Sequence, residues 1–356
     1  MYTMDLYREG KNIYYNIGVV NKDEDPKEFR YFDKRATNLV NSGYKYKLAV
    51  VRFSVDTSKI PIMYFPSTQF SSFSLNQSYL TADNSYYSVT VDDGSGTVKQ
   101  AYLRFESFTN NSNDLRIFTI DRFIQILNKA IVTACTGTVV NINQIPYFIY
   151  DRDRTIIDIV FPESFANLMA THKFYMNKKL WAMFNNFTHS ITDLNQRRYV
   201  KIDVFLNGTN SMTNTLVHTR NSVVNNSTSV TSIIVKGEYC TIYKFYQVRN
   251  LIFTTNSLPI RAEFLNNTFD FASETSYGSQ KILKNFEFDL ESTNALHCRS
   301  IQNFSANEYE FIDLEDSREI TDIDLQIYYS DIHGRVFPLE VPSDSLTTVK
   351  LLFHEF

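Results

Sequence analysis

The chain has 356 residues, enough for one large domain or two ordinary ones, and 43% of them are hydrophobic, which excludes a disordered chain. Its formal net charge is −4 and its pI is about 5.9, which argues against bulk binding of nucleic acid, because that needs a basic surface to displace counterions. With 23 Tyr, 29 Phe, abundant Asn, Ser and Thr and only 10 Gly, the composition favours an all-β protein with long polar loops.

Residues 12–20 and 44–55 read as strands, with a polar loop between them. Ile60-Pro61 belongs at a sheet edge or corner, because proline cannot donate to a ladder. Residues 86–91 and 98–105 flank the turn sequence at 92–96 and predict a hairpin. One segment reads as a helix, over 119–136. Ile120, Phe123, Ile124, Leu127, Ile131 and Ala134 recur there at three- and four-residue spacing, with Thr119 or Asp121 as cap and Gly137 as stop. A second hairpin is expected over 146–161, turning near Asp151–Arg154. Residues 174–187 fit a short helix or a strand pair, 199–206 a strand, and the Asn/Ser/Thr-rich stretch 207–232 a long exposed excursion. Strands are expected again at 232–235, 239–255, 261–264, 282–290 and 308–314.

The C-terminal stretch carries the clearest pattern. Ile323, Leu325, Ile327 and Tyr329 alternate with Asp322, Asp324, Gln326 and Tyr328, which predicts a strand with one buried face and an acidic, aromatic outer face. Asp331–Gly334 supply a turn, residues 336–341 return until Pro342 stops them, and a last strand runs over 347–353. This end reads as a wall or contact surface rather than a catalytic cleft. The segments beginning at Tyr150 and Tyr329 share a strand–turn–strand–Pro outline, which two independent hairpins explain as well as duplication does.

No motif of a known catalytic class is present: neither a phosphate-binding GxxxxGK nor GxGxxG, HExxH or GxSxG. The six histidines sit singly, so neither metal nor cofactor is expected. Cys135, Cys240 and Cys298 make no disulfide framework and read as small apolar thiols in a reducing compartment. The first ten residues lack an apolar core for a signal peptide, and no run of 18 apolar residues exists to span a membrane. The Asn-x-Ser/Thr triplets are chance matches in such a composition.

Charge is distributed unevenly. Between Lys27 and Lys59 stand eight basic residues, Lys45, Lys47 and Arg52 among them, against Glu28, Asp33 and Asp56. Between Ala306 and Asp331 stand nine acidic residues, including Glu308, Glu310, Asp322 and Asp324, against Arg318 alone. The two regions can pair within one sheet, or meet head to tail between copies, an arrangement that closes into a ring. Lys45, Lys47, Arg52, Glu308, Glu310, Asp322 and Asp324 are therefore the candidate subunit-interface residues. Paired carboxylates such as Asp322 and Asp324 can also serve glycoside hydrolysis or calcium. A partner-facing acidic patch fits better, since sugar clefts favour Trp platforms and Trp181 is the only Trp.

Several segments, taken in order, resemble the penton, or minor capsid, proteins of virophages, Polinton-like viruses and their relatives. They are Lys47–Pro61, Phe123–Ala130, Pro146–Asp151, Val248–Ile260, Leu283–Leu290 and Glu308–Leu314, with Val-Arg-Asn-Leu-Ile-Phe-Thr-Thr-Asn-Ser-Leu-Pro-Ile the strongest. The resemblance implies a viral β jelly roll built from N- and C-terminal strands, residues 1–75 plus 241–356, around an inserted mostly-β domain, 76–240. It implies a homopentamer at the five-fold vertices of an icosahedral virion, beside major capsid proteins, with an outer domain that can meet a host receptor or fibre. It carries no active-site residues. The alternatives are a glycan- or receptor-binding β module and a β-rich glycosidase acting through Asp322 or Glu308.

Overall fold

β-branched and aromatic residues alternating with polar ones give this chain sheets, and long-range pairing decides where each strand starts and stops. In the computed structural model the described residues are 11–64, 87–103, 116–136, 138, 140, 145–162, 165, 172–194, 197–203, 215–221, 229–261, 264–265, 268–269, 276–277, 280–287, 300–304, 309–315, 319–332 and 334–355. The chain forms two compact units, Met1–Pro61 with Gln247–Phe356, and Ile62–Tyr246.

The first unit opens with β1 (Asn12–Val20), β2 (Lys27–Glu28), β3 (Arg30–Lys34) and β4 (Tyr46–Asp56). The second holds β5 (Met63–Tyr64), β6 (Ser88–Asp92), β7 (Val98–Tyr102), β8 (Arg116–Ile117), helix α1 (Ile120–Cys135), β9 (Tyr147–Asp151), β10 (Ile156–Pro162), β11 (Lys173–Met176), helix α2 (Lys178–Phe184), β12 (His189–Leu194), β13 (Arg197–Ile202), β14 (Thr215–Asn221) and β15 (Ser229–Val235). The first unit resumes with β16 (Val248–Thr255), β17 (Phe264–Leu265), β18 (Thr268–Phe269), β19 (Ser276–Tyr277), β20 (Gln280–Glu287), β21 (Ser300–Phe304), β22 (Ile312–Asp313), β23 (Asp322–Asp331), β24 (Val336–Pro338), β25 (Glu340–Val341) and β26 (Leu346–Glu355).

Eight strands of the first unit obey one rule. With β1, β3, β4, β16, β20, β21, β23 and β26 taken as first to eighth, the first pairs with the eighth, the second with the seventh, the third with the sixth and the fourth with the fifth, all antiparallel. That is one long hairpin. The pairings of β26 with β4 and of β23 with β16 roll it into two sheets, β1-β26-β4-β21 and β3-β23-β16-β20. The result is a jelly roll, with the second unit inserted in sequence between its third and fourth strands.

The sheets meet face to face through large inward side chains. Phe53 of β4, 1% exposed, packs tilted against Phe253 of β16 at 4.8 Å and edge-to-face with Phe286 of β20 at 5.1 Å between ring centroids. Tyr15 of β1 meets Tyr31 of β3, hydroxyl to hydroxyl at 2.7 Å, and donates to the Asp33 carboxylate. Burial, then the hydrogen bond to Asp33, hold the Tyr15 phenol above the usual tyrosine range.

Antiparallel order gathers the connections at two ends. At one, Asn21 is bonded to Val341, Ser345 and Asp344, and β2 pairs with β25. The chain leaves and re-enters the unit at this end, where Ile332 donates to the Gln247 carbonyl at 2.8 Å. At the other end Val40 bridges to Ile320 and Ile260 to Leu314.

The second unit contains the sheets β12-β13-β11-β6-β7 and β14-β15-β10-β9. A chain of phenylalanines joins them: Phe148 of β9 lies 6.3 Å from Phe174 of β11 and 5.0 Å from Phe184 of α2, and Phe161 of β10 lies 6.3 Å from Phe174. α1 lies against β6, β7 and β9. Its buried residues include Ile120, Phe123, Ile124, Leu127, Ile131 and Ala134, the set its spacing predicts. The Thr119 side chain accepts from the Arg122 N–H as N-cap, whereas Gly137 lies outside the described residues. Cys135, on the same face, is 2% exposed, and burial pushes its thiol up to about 12, so it packs as a small apolar group; Cys298 lies outside the described residues.

Gly237 marks a close approach. A Cβ there would stand 2.5 Å from Asn186 Nδ2 and 2.9 Å from the Ile157 carbonyl oxygen. Its N–H donates to the buried Asp158 carboxylate at 3.0 Å, which Arg154 also pairs at 2.9 Å.

The structure corrects four readings. β3 lies within the stretch expected to be a loop; it exists because Arg30–Lys34 pair with Asp322–Gln326, and local sequence does not announce that partner. Residues 239–247 are not strand: a short 3-10 turn covers Ile242–Lys244, which lets Phe245 and Tyr246 bury, and the strand begins at Val248. The excursion at 207–232 includes β14 and part of β15, paired from Thr215↔Val235 to Asn221↔Ser229. β23 is buried on both faces, because Tyr328 packs with Ile252 and Val336 on the side expected to face outward.

Candidate subunit interface

Asp324 is the best-defined charged residue among the candidates, and it is internal. It is 8% exposed. Its Oδ1 accepts from the Thr255 hydroxyl at 2.5 Å, the Ser257 N–H at 2.7 Å and the Ser257 hydroxyl at 2.6 Å, and its Oδ2 accepts from the Asn256 N–H at 2.9 Å. Its own N–H donates to Ser257 Oγ at 3.1 Å. One carboxylate thus organises the turn Thr255–Leu258 that ends β16, the centre of the Thr-Thr-Asn-Ser-Leu-Pro segment. A carboxylate so filled with donors has a structural job and is not an outward contact.

Asp322, on the same strand face, lies opposite Lys34 in the ladder, and its buried Oδ1 has no hydrogen-bond partner. Lys45 is exposed in the turn Gly43–Lys45 that leads into β4. Lys47 pairs with Asp313 of β22 at 3.5 Å, so early base and late acid do meet inside one sheet there. Arg52 stands exposed on β4, opposite Lys350 and Phe304. Glu310 pairs with Lys284 at 3.3 Å but keeps 78% of its side chain exposed. Glu308 lies outside the described residues. With the exception of Arg52, midway along β4, the placed candidates lie at or near the end of the jelly roll that holds the Val40–Ile320 bridge.

Sequence reasoning missed the exposed apolar side chains of the sandwich. Phe32 is 66% exposed, Leu346 53%, Val20 51% and Tyr14 47%, with Lys350 over the Tyr14 ring at 4.3 Å. Period-two alternation in β1 does put Tyr14, Asn16 and Val20 on the face opposite Tyr15 and Ile17, so this signal was present. Phe311 lies 5.8 Å from Tyr309 and 5.5 Å from His354, ring to ring. Among the described residues no group of three or more His, Cys, Asp or Glu is placed to hold a metal ion, and no helix is long and apolar enough to cross a membrane.

The two Asp–Arg hairpins share their chemistry. Asp151 accepts from the Arg154 N–H at 3.0 Å and from its Nε at 2.7 Å; Asp331 accepts from the Arg335 N–H at 2.9 Å and from its Nε at 2.6 Å. The strand–turn–strand outline noticed in the sequence is therefore a repeated clasp, a local solution for a turn.

Comparison with known proteins agrees with the topology. A chain in the cryo-EM structure of the Sputnik virophage superposes with a TM-score of 0.72 at 21% identity, covering 97% of this chain and 98% of that one. The crystal structure of the mavirus penton protein superposes with a TM-score of 0.68 at 15% identity, covering 97% and 100%. At these identities the likeness establishes the fold. No curated protein sequence matches. The family model described as Sputnik minor capsid protein V18/19 matches residues 13–355, so the chain belongs to that family of virophage minor capsid proteins.

Proposed function

We propose that this chain is the penton of an icosahedral particle, a structural and non-enzymatic protein that assembles as a homopentamer at the five-fold vertices beside the major capsid protein. The observation that carries this reading is the family match over residues 13–355, which spans both compact units. The jelly roll suits the role, because two packed sheets laced at both ends present stable side surfaces to neighbours without a cofactor. The domain assignment, 1–75 plus 241–356 around 76–240, is read onto the two units, with the inserted one as the outer domain available to a host receptor or fibre. The particle is expected to be assembled in a reducing compartment.

Within this reading Lys45, Lys47, Arg52, Glu308, Glu310 and Asp322 contribute charge at subunit contacts, while Asp324 holds the fold. Mass photometry of the purified chain is expected to show a species of roughly 200 kDa, five copies of 41.5 kDa, that dissociates as salt rises. Reversing the charges of Lys45, Lys47 and Arg52 should flatten that salt dependence. A chain that stays monomeric at micromolar concentration would overturn the pentamer.

A further inference from the structure

We draw no further inference here: the strongest candidate, the apolar surface patch on the outer face of the β1-β26-β4 sheet, where Tyr14, Leu352 and Ala49 follow one another across the ladder and the exposed Val20 and Leu346 stand opposite each other, carries nothing, because nothing in the structure shows what covers it.

Discussion

Replacing Asp324 with Ala is expected to destabilise the first unit by about 3 kcal/mol, because the buried Thr255 hydroxyl and three part-buried donors lose a charged acceptor at once. The donors are the Thr255 and Ser257 hydroxyls and the Asn256 and Ser257 N–H groups, all within one turn. Asp324→Asn keeps an acceptor at Oδ1 but turns a second donor toward the Asn256 N–H, or toward Oδ1's donors if it flips, so a loss of about 1–2 kcal/mol is expected. Glu310→Ala, at an exposed carboxylate, should stay within about 0.5 kcal/mol of wild type. Denaturant titration with hydrogen exchange at β16 amides measures all three. An Asp324→Ala variant as stable as Glu310→Ala would show that the carboxylate does not organise this turn.

Phe53→Ala should cost about 3–5 kcal/mol, the usual range for emptying a buried aromatic site. Phe53 is the residue through which β4 grips both β16 and β20, and it is 1% exposed. Phe53→Leu preserves much of the volume and should cost less than about 1.5 kcal/mol. Phe32→Ala, at a ring 66% exposed, should change monomer stability by less than about 0.5 kcal/mol. The contrast separates a core phenylalanine from an exposed one. Trp181, the only Trp, belongs to the second unit, so amide exchange in β4 is the proper probe. Equal losses for Phe53→Ala and Phe32→Ala would contradict the packing described.

What was legible in the sequence was local. α1 announced itself because nine buried residues repeat at helical spacing over sixteen positions. The hairpins β6–β7 and β9–β10 were legible because their turns carry Gly, Asp and Arg between apolar runs. The stretch at 174–187 was read as a short helix or a strand pair; it holds the short helix α2, preceded by the single strand β11, whose partners β6 and β13 lie elsewhere in the chain. β3 was not legible, since five residues alternating Arg, Tyr, Phe, Asp and Lys become a strand only through Asp322–Gln326, far along the chain. Asp324 misled for the opposite reason. Alternation put it on a face, and a pattern cannot say that a turn from β16 would cover that face with donors. The order of pairing that makes the jelly roll is likewise a long-range property, reached in the sequence only by resemblance.

Placement in the assembled particle tests the central claim most directly. In cryo-EM density of the icosahedral particle that incorporates this chain, its jelly roll is expected to fit the five-fold vertices in five copies. Vertices filled by a different protein, with this chain elsewhere or absent, would contradict the account.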